Sequence, residues 1–180
     1  MSAKRATVLV MAIILVSVIV SGILVGARIH RRNSETRFEE TMVDAAAEIR
    51  VNGLIVEQIL TEAGEIGRLA IDASGQDFNT EVGRFLESAE NAEQIEQMQR
   101  LSYEFAEILD TLETPSRRLA AAHDALYEMF DVYTQMVELT QAPPDNWLML
   151  TWETRDLANA LSAAFERFAV ELPIVLERIE

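Results

Sequence analysis

Thirty acidic residues and two histidines are the side chains that could bind a metal ion or transfer a proton in this chain. A di-iron site in a helical bundle uses inward-facing Glu-x-x-His pairs, but the residue three positions before His123 is Ala120. The glutamates in segments 57–65 and 87–96 recur at spacings typical of solvated helix faces. We therefore expect carboxylates on the outer faces of helices, His123 as a partly exposed helix residue, and no metal site.

Nucleophilic catalysis has no better support in the residue types. The chain contains no cysteine, so it has no thiolate nucleophile, no disulfide and no thiolate metal ligand. It also lacks a Gly-x-Ser-x-Gly motif and a glycine-rich phosphate-binding loop. The sequence predicts no catalytic residues, no cofactor and no enzymatic activity. The alternative, a metal-dependent enzyme, would be tested by metal analysis of the purified protein.

An apolar segment with two tryptophans offers the best candidate for a binding surface. Residues 147–152 read WLMLTW, which is too apolar on all sides for a single buried helix stripe. The segment either closes one end of a helical bundle or forms an exposed contact patch for another protein. In the second case the binding residues are Trp147, Leu148, Met149 and Trp152.

Three aromatic residues in the same half of the chain allow a second kind of site. Tyr127, Tyr133 and Trp152 either pack in a helical core, with the tyrosine hydroxyl groups reaching the surface, or line a small-ligand pocket between helices. The first interpretation predicts a structural role. The second predicts a ligand-sensing protein, and a solidly packed core at these positions would contradict it.

The uncharged apolar segment at residues 7–27 determines where the rest of the chain is held. Its 21 residues form a helix of about 31 Å, enough to cross a hydrocarbon core of about 30 Å. We interpret it as a transmembrane helix within an N-terminal anchor, residues 1–33, that contacts the lipid bilayer. Cleavage after Ala27 is the alternative, because small residues precede that position. The length of the apolar run and the arginines that follow it favour an uncleaved anchor.

The orientation of this anchor is less clearly encoded. Two basic residues precede the apolar segment, and four follow it by residue 37, which by the positive-inside rule places the C-terminal part in the cytoplasm. A Lys-Arg pair before a single span is, however, typical of exported bacterial proteins. We expect a single-pass protein of the bacterial cytoplasmic (inner) membrane whose helical part is extracytoplasmic. A reporter fused to the C-terminus would test this.

Beyond the anchor the chain is strongly acidic. It has 15 Lys and Arg and 30 Asp and Glu residues, and five of the basic residues but none of the acidic ones lie in residues 1–32. This leaves 10 basic against 30 acidic residues, a net charge of −20. Such a surface repels phosphates, which excludes nucleic acid as a partner. The expected partner is therefore an unidentified protein, with a second copy of the chain as another possibility.

The spacing of apolar residues from residue 34 onward predicts helices. They recur every three or four positions, and no stretch alternates as a strand would. Prolines and a turn near residue 75 divide this part into helices at about 34–73, 78–112, 115–141 and 146–172, with a tail at 174–180. Gly53, Gly64 and Gly67 either weaken the first helix or mark close packing with a neighbour.

These elements predict an all-α fold class. The four amphipathic helices are joined by short turns, which favours an up-down-up-down antiparallel four-helix bundle. The predicted architecture is therefore a single N-terminal transmembrane helix followed by an acidic bundle at residues 34–173.

A set of residues between two prolines carries a resemblance to a known group of proteins. The set comprises Pro115, Ala121, His123, Asp124, Leu126, Tyr127, Phe130, Tyr133, Leu139, Pro143, Leu172 and Pro173. In this pattern the chain resembles bacterial N-terminally anchored helical-bundle proteins with no known activity. Those proteins commonly have a Pro-Ser-Gly-Ser-like turn where this chain has Pro143-Pro144-Asp145-Asn146. The resemblance implies an anchored bundle and implies no activity.

The sequence as a whole predicts a membrane-anchored interaction or scaffold module without catalytic activity. The alternative function is a ligand-sensing helical bundle that acts through a partner membrane protein.

Overall fold

The computed structural model describes residues 34–74, 77–112 and 114–179, and all regular structure in these ranges is helical. The elements are α1 (Ser34–Ser74), α2 (Phe78–Leu86), α3 (Ala89–Asp110), α4 (Ala120–Gln141), α5 (Trp147–Glu171), a 3-10 helix (Pro173–Val175) and α6 (Leu176–Ile179). Six α-helices and no strand in the described ranges confirm the all-α class there. The anchor expected at residues 1–33 lies outside the described residues.

The chain separates into two compact units, residues 1–41 and 42–180. The described part of the first unit is the opening of α1, residues 34–41. The contacts below all lie within the second unit.

Two glycines let α1 approach its neighbours closely. A Cβ atom at Gly53 would lie 2.2 Å from Cδ2 of Leu161 on α5, and a Cβ atom at Gly67 would lie 2.3 Å from the ring of Phe78 on α2. Both distances are well inside van der Waals contact, so these glycines accommodate large side chains of the facing helices. Of the two interpretations of the glycines, close packing therefore applies at Gly53 and Gly67.

The expected second helix is divided into α2 and α3 by a break at Glu87 and Ser88. Asp77 begins α2 by accepting a hydrogen bond from the Thr80 amide at 2.9 Å, a standard N-cap. After the break, Asn91 donates from Nδ2 to the Phe85 carbonyl oxygen at 2.8 Å. The Phe85 carbonyl oxygen also accepts from the Ser88 amide at 3.2 Å, so the Asn91 side chain adds a second bond at the end of α2.

The turn between α3 and α4 is longer than expected, because α4 begins at Ala120 and not at Pro115. Two side chains of α4 contact the end of α3. Tyr127 donates from its hydroxyl group to the Leu109 carbonyl oxygen at 2.9 Å. Nε2 of His123 lies 2.8 Å from the Leu112 carbonyl oxygen, which can only accept, so the Nε2 proton makes this bond.

Contacts between helices show that α1 and α5 run antiparallel, and that α3 and α4 do so too. Arg50 lies over the ring of Phe165 at 5.8 Å, whereas Gly64, later in α1, faces Thr151, earlier in α5. Between α3 and α4, the Tyr133 hydroxyl group lies 3.2 Å from the Met98 carbonyl oxygen. Since Tyr127 contacts the later residue Leu109, the residue numbers again rise on one helix as they fall on the other.

The C-terminal segment packs against α1 near Asp44. Leu172 and Val175 are buried, and Nε of Arg178 lies 3.5 Å from Oδ1 of Asp44 on α1. At this level α1 is enclosed on nearly all sides, because residues 45–49 are buried in succession. The segment expected as a tail is therefore part of the packed structure.

Candidate binding surface and buried polar cluster

The first turns of α5 place three large apolar side chains in solvent. Leu148 and Met149 are about half exposed and Trp152 is 66% exposed, while Leu150 between them is fully buried. Residues 148 and 152 are one helical turn apart, and residue 149 lies beside them, so they form one outward surface. We call Leu148, Met149 and Trp152 the Trp152 face.

The local sequence determines where the Trp152 face begins. Pro143 and Pro144 cannot continue α4, and Asn146 starts α5 by accepting a hydrogen bond from the Met149 amide at 2.9 Å. With Leu150 directed into the core, the helical period leaves residues 148, 149 and 152 on the outside. Three of the four candidate residues of this segment are therefore exposed, as the contact-patch interpretation requires.

Trp147, the fourth candidate, points elsewhere. It is half-buried and lines an open groove of about 300 Å³ between α1 and α5. The groove is also lined by Glu57, Gly64, Arg68, Thr151 and Arg155.

Tyr127, Tyr133 and Trp152 have different surroundings in the structure. Tyr133 is fully buried, and its ring packs edge-on against Phe105 with centroids 5.7 Å apart. Tyr127 contacts the end of α3 with its hydroxyl group. None of the three residues lines the groove beside α5 or a second open depression of about 370 Å³ near Glu128 and Arg167. These positions match structural roles for the two tyrosines, whereas the Trp152 side chain lies in solvent.

A polar cluster lies where the sequence predicts apolar packing. The expectation that carboxylates lie on outer faces is wrong for Glu48, which is only 7% exposed. Asn52, one turn later on α1, is fully buried, and its Nδ2 donates to the Glu48 carbonyl oxygen at 2.8 Å. Oε1 of Glu48, Oδ1 of Asn52 and Oε2 of Glu104 are buried without a hydrogen-bond partner. A buried acceptor in this state costs about 1–3 kcal/mol.

The electrostatics of this cluster are unfavourable for a charged Glu48. Burial, reinforced by repulsion from Asp44 and Glu104, raises the pKa of Glu48 from 4.5 to about 7. Asp44 lies one turn earlier on α1, and Glu104 belongs to α3. The sequence carried one direct sign of this cluster, the polar Asn52 in an otherwise apolar stripe.

The described residues contain no group of three or more Asp, Glu, His or Cys side chains placed to hold a metal ion. His123 is half-buried and contacts the ring of Tyr127 at 4.6 Å between centroids. Within residues 34–74, 77–112 and 114–179, no helix combines the length and apolar character needed to cross a membrane. The apolar segment 7–27 lies outside these ranges.

Comparison with known proteins gives no relative from which a site could be transferred. No protein-family model, curated protein or solved structure matches this chain.

Proposed function

We propose that this chain is a membrane-anchored interaction module, extracytoplasmic and without catalytic activity, whose helices form an up-down-up-down four-helix bundle. The apolar segment 7–27 supports the anchor, and the antiparallel contacts of α1 with α5 and of α3 with α4 support the bundle. The interaction role depends on one observation, the solvent exposure of the Trp152 face.

The surroundings of the Trp152 face indicate the chemistry of its partner. Asp145, Glu153 and Asp156 are exposed around it, against one arginine, Arg155. Tryptophan and methionine are enriched at the centres of protein interfaces, and polar residues form the rim. The partner we propose is a protein with an apolar pocket bordered mainly by basic side chains.

Site-specific photocrosslinking tests this interface in the full-length chain in its membrane. A photoreactive residue at position 152 should give a discrete adduct. Position 103 is the matched control, because Tyr103 is also an exposed aromatic residue but lies on α3, outside the Trp152 face. The same photoreactive residue at position 103 should give no adduct. Met149→Glu should abolish the adduct at 152. Equal labelling from both positions, or no adduct at 152, would refute the assignment.

Binding measured with the captured protein distinguishes a specific partner from a bystander. A buried tryptophan at the centre of an interface contributes about 2 kcal/mol or more, so Trp152→Ser should weaken binding about 30-fold. The control Tyr103→Ser should leave the Kd unchanged. An adduct of twice the chain mass would instead identify a second copy of the chain.

The anchor and its orientation need a separate test. We expect the full-length chain in the membrane fraction and a variant lacking residues 1–33 outside it. If the C-terminus lies outside the cytoplasm, protease added to cells whose outer membrane is opened and whose inner membrane is intact should remove a C-terminal tag. Protection of the tag until the inner membrane is opened would show the opposite orientation.

Ligand sensing is a second candidate, and the groove beside Trp147 is the observation that favours it. Arg155 at its edge could bind a carboxylate, and Trp147 offers an aromatic wall. The probe is a small aromatic carboxylate such as benzoate, followed by Trp147 fluorescence in a Trp152→Phe background. Saturable quenching that Arg155→Gln removes would support sensing, and the absence of quenching would argue against it.

A further inference from the structure

The polar cluster between α1 and α3 has more acceptors than the protein supplies donors for. Glu48 and Glu104 each have one buried carboxylate oxygen without a hydrogen-bond partner, and so does the Asn52 side-chain carbonyl group. Asn52 is fully buried, and its Nδ2 donates one hydrogen bond to the Glu48 carbonyl oxygen. The three oxygens come from two helices and share an excess of negative charge.

The nearby cationic side chains are engaged elsewhere. Arg178 contacts Asp44, and Arg50 lies over the ring of Phe165 on α5. Neither arginine therefore neutralises the two carboxylates.

We propose that Glu48, Asn52 and Glu104 bind a hard divalent cation of the Mg²⁺, Ca²⁺ and Mn²⁺ class in the core between α1 and α3. Carboxylate and amide oxygens are the ligands these ions prefer, and the cluster contains no sulfur or imidazole that would select a softer metal. The second carboxylate oxygens or water molecules complete the coordination. This site is independent of the Trp152 face and goes beyond the proposed interaction function.

A proton is the natural competitor of the cation. Carboxylate ligands must be deprotonated to bind a metal, so cation binding releases that proton and strengthens as the pH rises. This coupling separates the buried site from counterions attracted to the acidic surface.

The test uses the purified full-length chain in detergent, stripped with EDTA and dialysed. Thermal unfolding is followed by circular dichroism while MgCl₂, CaCl₂ or MnCl₂ is added separately at constant ionic strength. We expect a saturable rise in the unfolding midpoint with at least one cation, larger at about pH 8 than at about pH 6. Calorimetry in two buffers of different ionisation enthalpy should show proton release.

Matched variants decide between a specific site and general screening. Glu48→Gln and Glu104→Gln should weaken binding tenfold or more, whereas Glu107→Gln, an exposed residue one turn from Glu104, should not. Because both site variants are isosteric, at least one is expected to fold. No saturable response to any of the three cations would overturn the proposal, as would equal responses in all variants. A native chain whose unfolding midpoint depends on pH but on none of the three cations would assign the cluster to a proton alone.

Discussion

Replacing Glu48 with glutamine tests whether the α1–α3 interface holds a neutral carboxyl group. Glutamine has nearly the same shape and cannot ionise, so the comparison isolates the titration of this one residue. In the absence of divalent cations, we expect the free energy of unfolding of the native chain to fall, relative to Glu48→Gln, as the pH rises from about 4.5 to about 7.

The sign follows from the direction of the pKa shift. The folded chain holds the Glu48 proton up to about pH 7, whereas the unfolded chain loses it near the ordinary value for glutamate. Folding therefore favours the protonated form, and its contribution is complete below about pH 4.5 and lost as the pH rises through about 7. Groups that titrate equally in both proteins cancel in the difference.

The magnitude can be worked from the same shift. A tenfold change in a proton-binding constant corresponds to about 1.4 kcal/mol, so a rise from 4.5 to about 7 sets an upper limit of about 3 kcal/mol. Water reaching part of the carboxylate reduces this, and we expect about 2 kcal/mol. For a chain of this size, that corresponds to a melting temperature about 4–8 °C higher for Glu48→Gln above pH 7.

The assay is thermal unfolding of both proteins in EDTA across this pH range, with Glu104→Gln as a third protein. Since Glu104 contributes to the raised pKa of Glu48, removing its charge should move the transition to lower pH. Parallel pH profiles for the native chain and Glu48→Gln would refute the reasoning, because they would show that Glu48 ionises normally in the folded state.

Two further predictions concern glycine packing and tyrosine hydrogen bonds, and thermal unfolding checks both. Gly67→Ala should destabilise the chain by about 1–3 kcal/mol, because the new Cβ atom overlaps the Phe78 ring. Gly83→Ala meets no atom within 4 Å and should be neutral or stabilise α2 by up to about 1 kcal/mol; equal effects would contradict the packing argument. Tyr133→Phe should cost about 0.5–1.5 kcal/mol. Tyr127→Phe should cost less, because Tyr127 is 39% exposed and water can replace its bond; the reverse order would refute this.

Helix ends with strong local signals could be predicted from the sequence. The first helix was expected at 34–73 and occurs as α1 at Ser34–Ser74. The fourth was expected at 146–172 and occurs as α5 at Trp147–Glu171. Helix α5 lies between prolines, and the side chain of Asn146 caps its first turn. In these places local chemistry and the fold agree.

The break after α2 could not be predicted, because it has no glycine or proline at residues 87–93. Its cause is tertiary: Leu86 is buried and the next buried residue is Gln94, so the intervening turns have no inward side chain to hold them in one straight helix. The first position of α4 was missed for a related reason. Pro115 is suited to start a helix, but the chain uses residues 114–119 to carry Leu119 into the core.

Glu48 was missed because helical period identifies one apolar stripe and assigns the rest of a helix to solvent. That assumption fails where other elements surround a helix, as they do at residues 45–49 of α1. The three consecutive alanines at 45–47 were the available sign, since small side chains allow close approach on several sides. Sequence alone did not show that the C-terminal segment returns to cover this level through Arg178.

The position of the polar cluster on α1 separates it from the proposed partner surface. α1 contacts α2 at Gly67 and α5 at Gly53, so a change at Glu48 acts on a helix that several elements share. The Trp152 face, by contrast, is held by the Asn146 cap and by Leu150 at the start of α5. We therefore expect Glu48→Gln to change amide hydrogen exchange in α1 and α3 while leaving crosslinking from position 152 unchanged. Loss of crosslinking in this variant, with the chain still folded, would show that the two sites are coupled and would refute their independence.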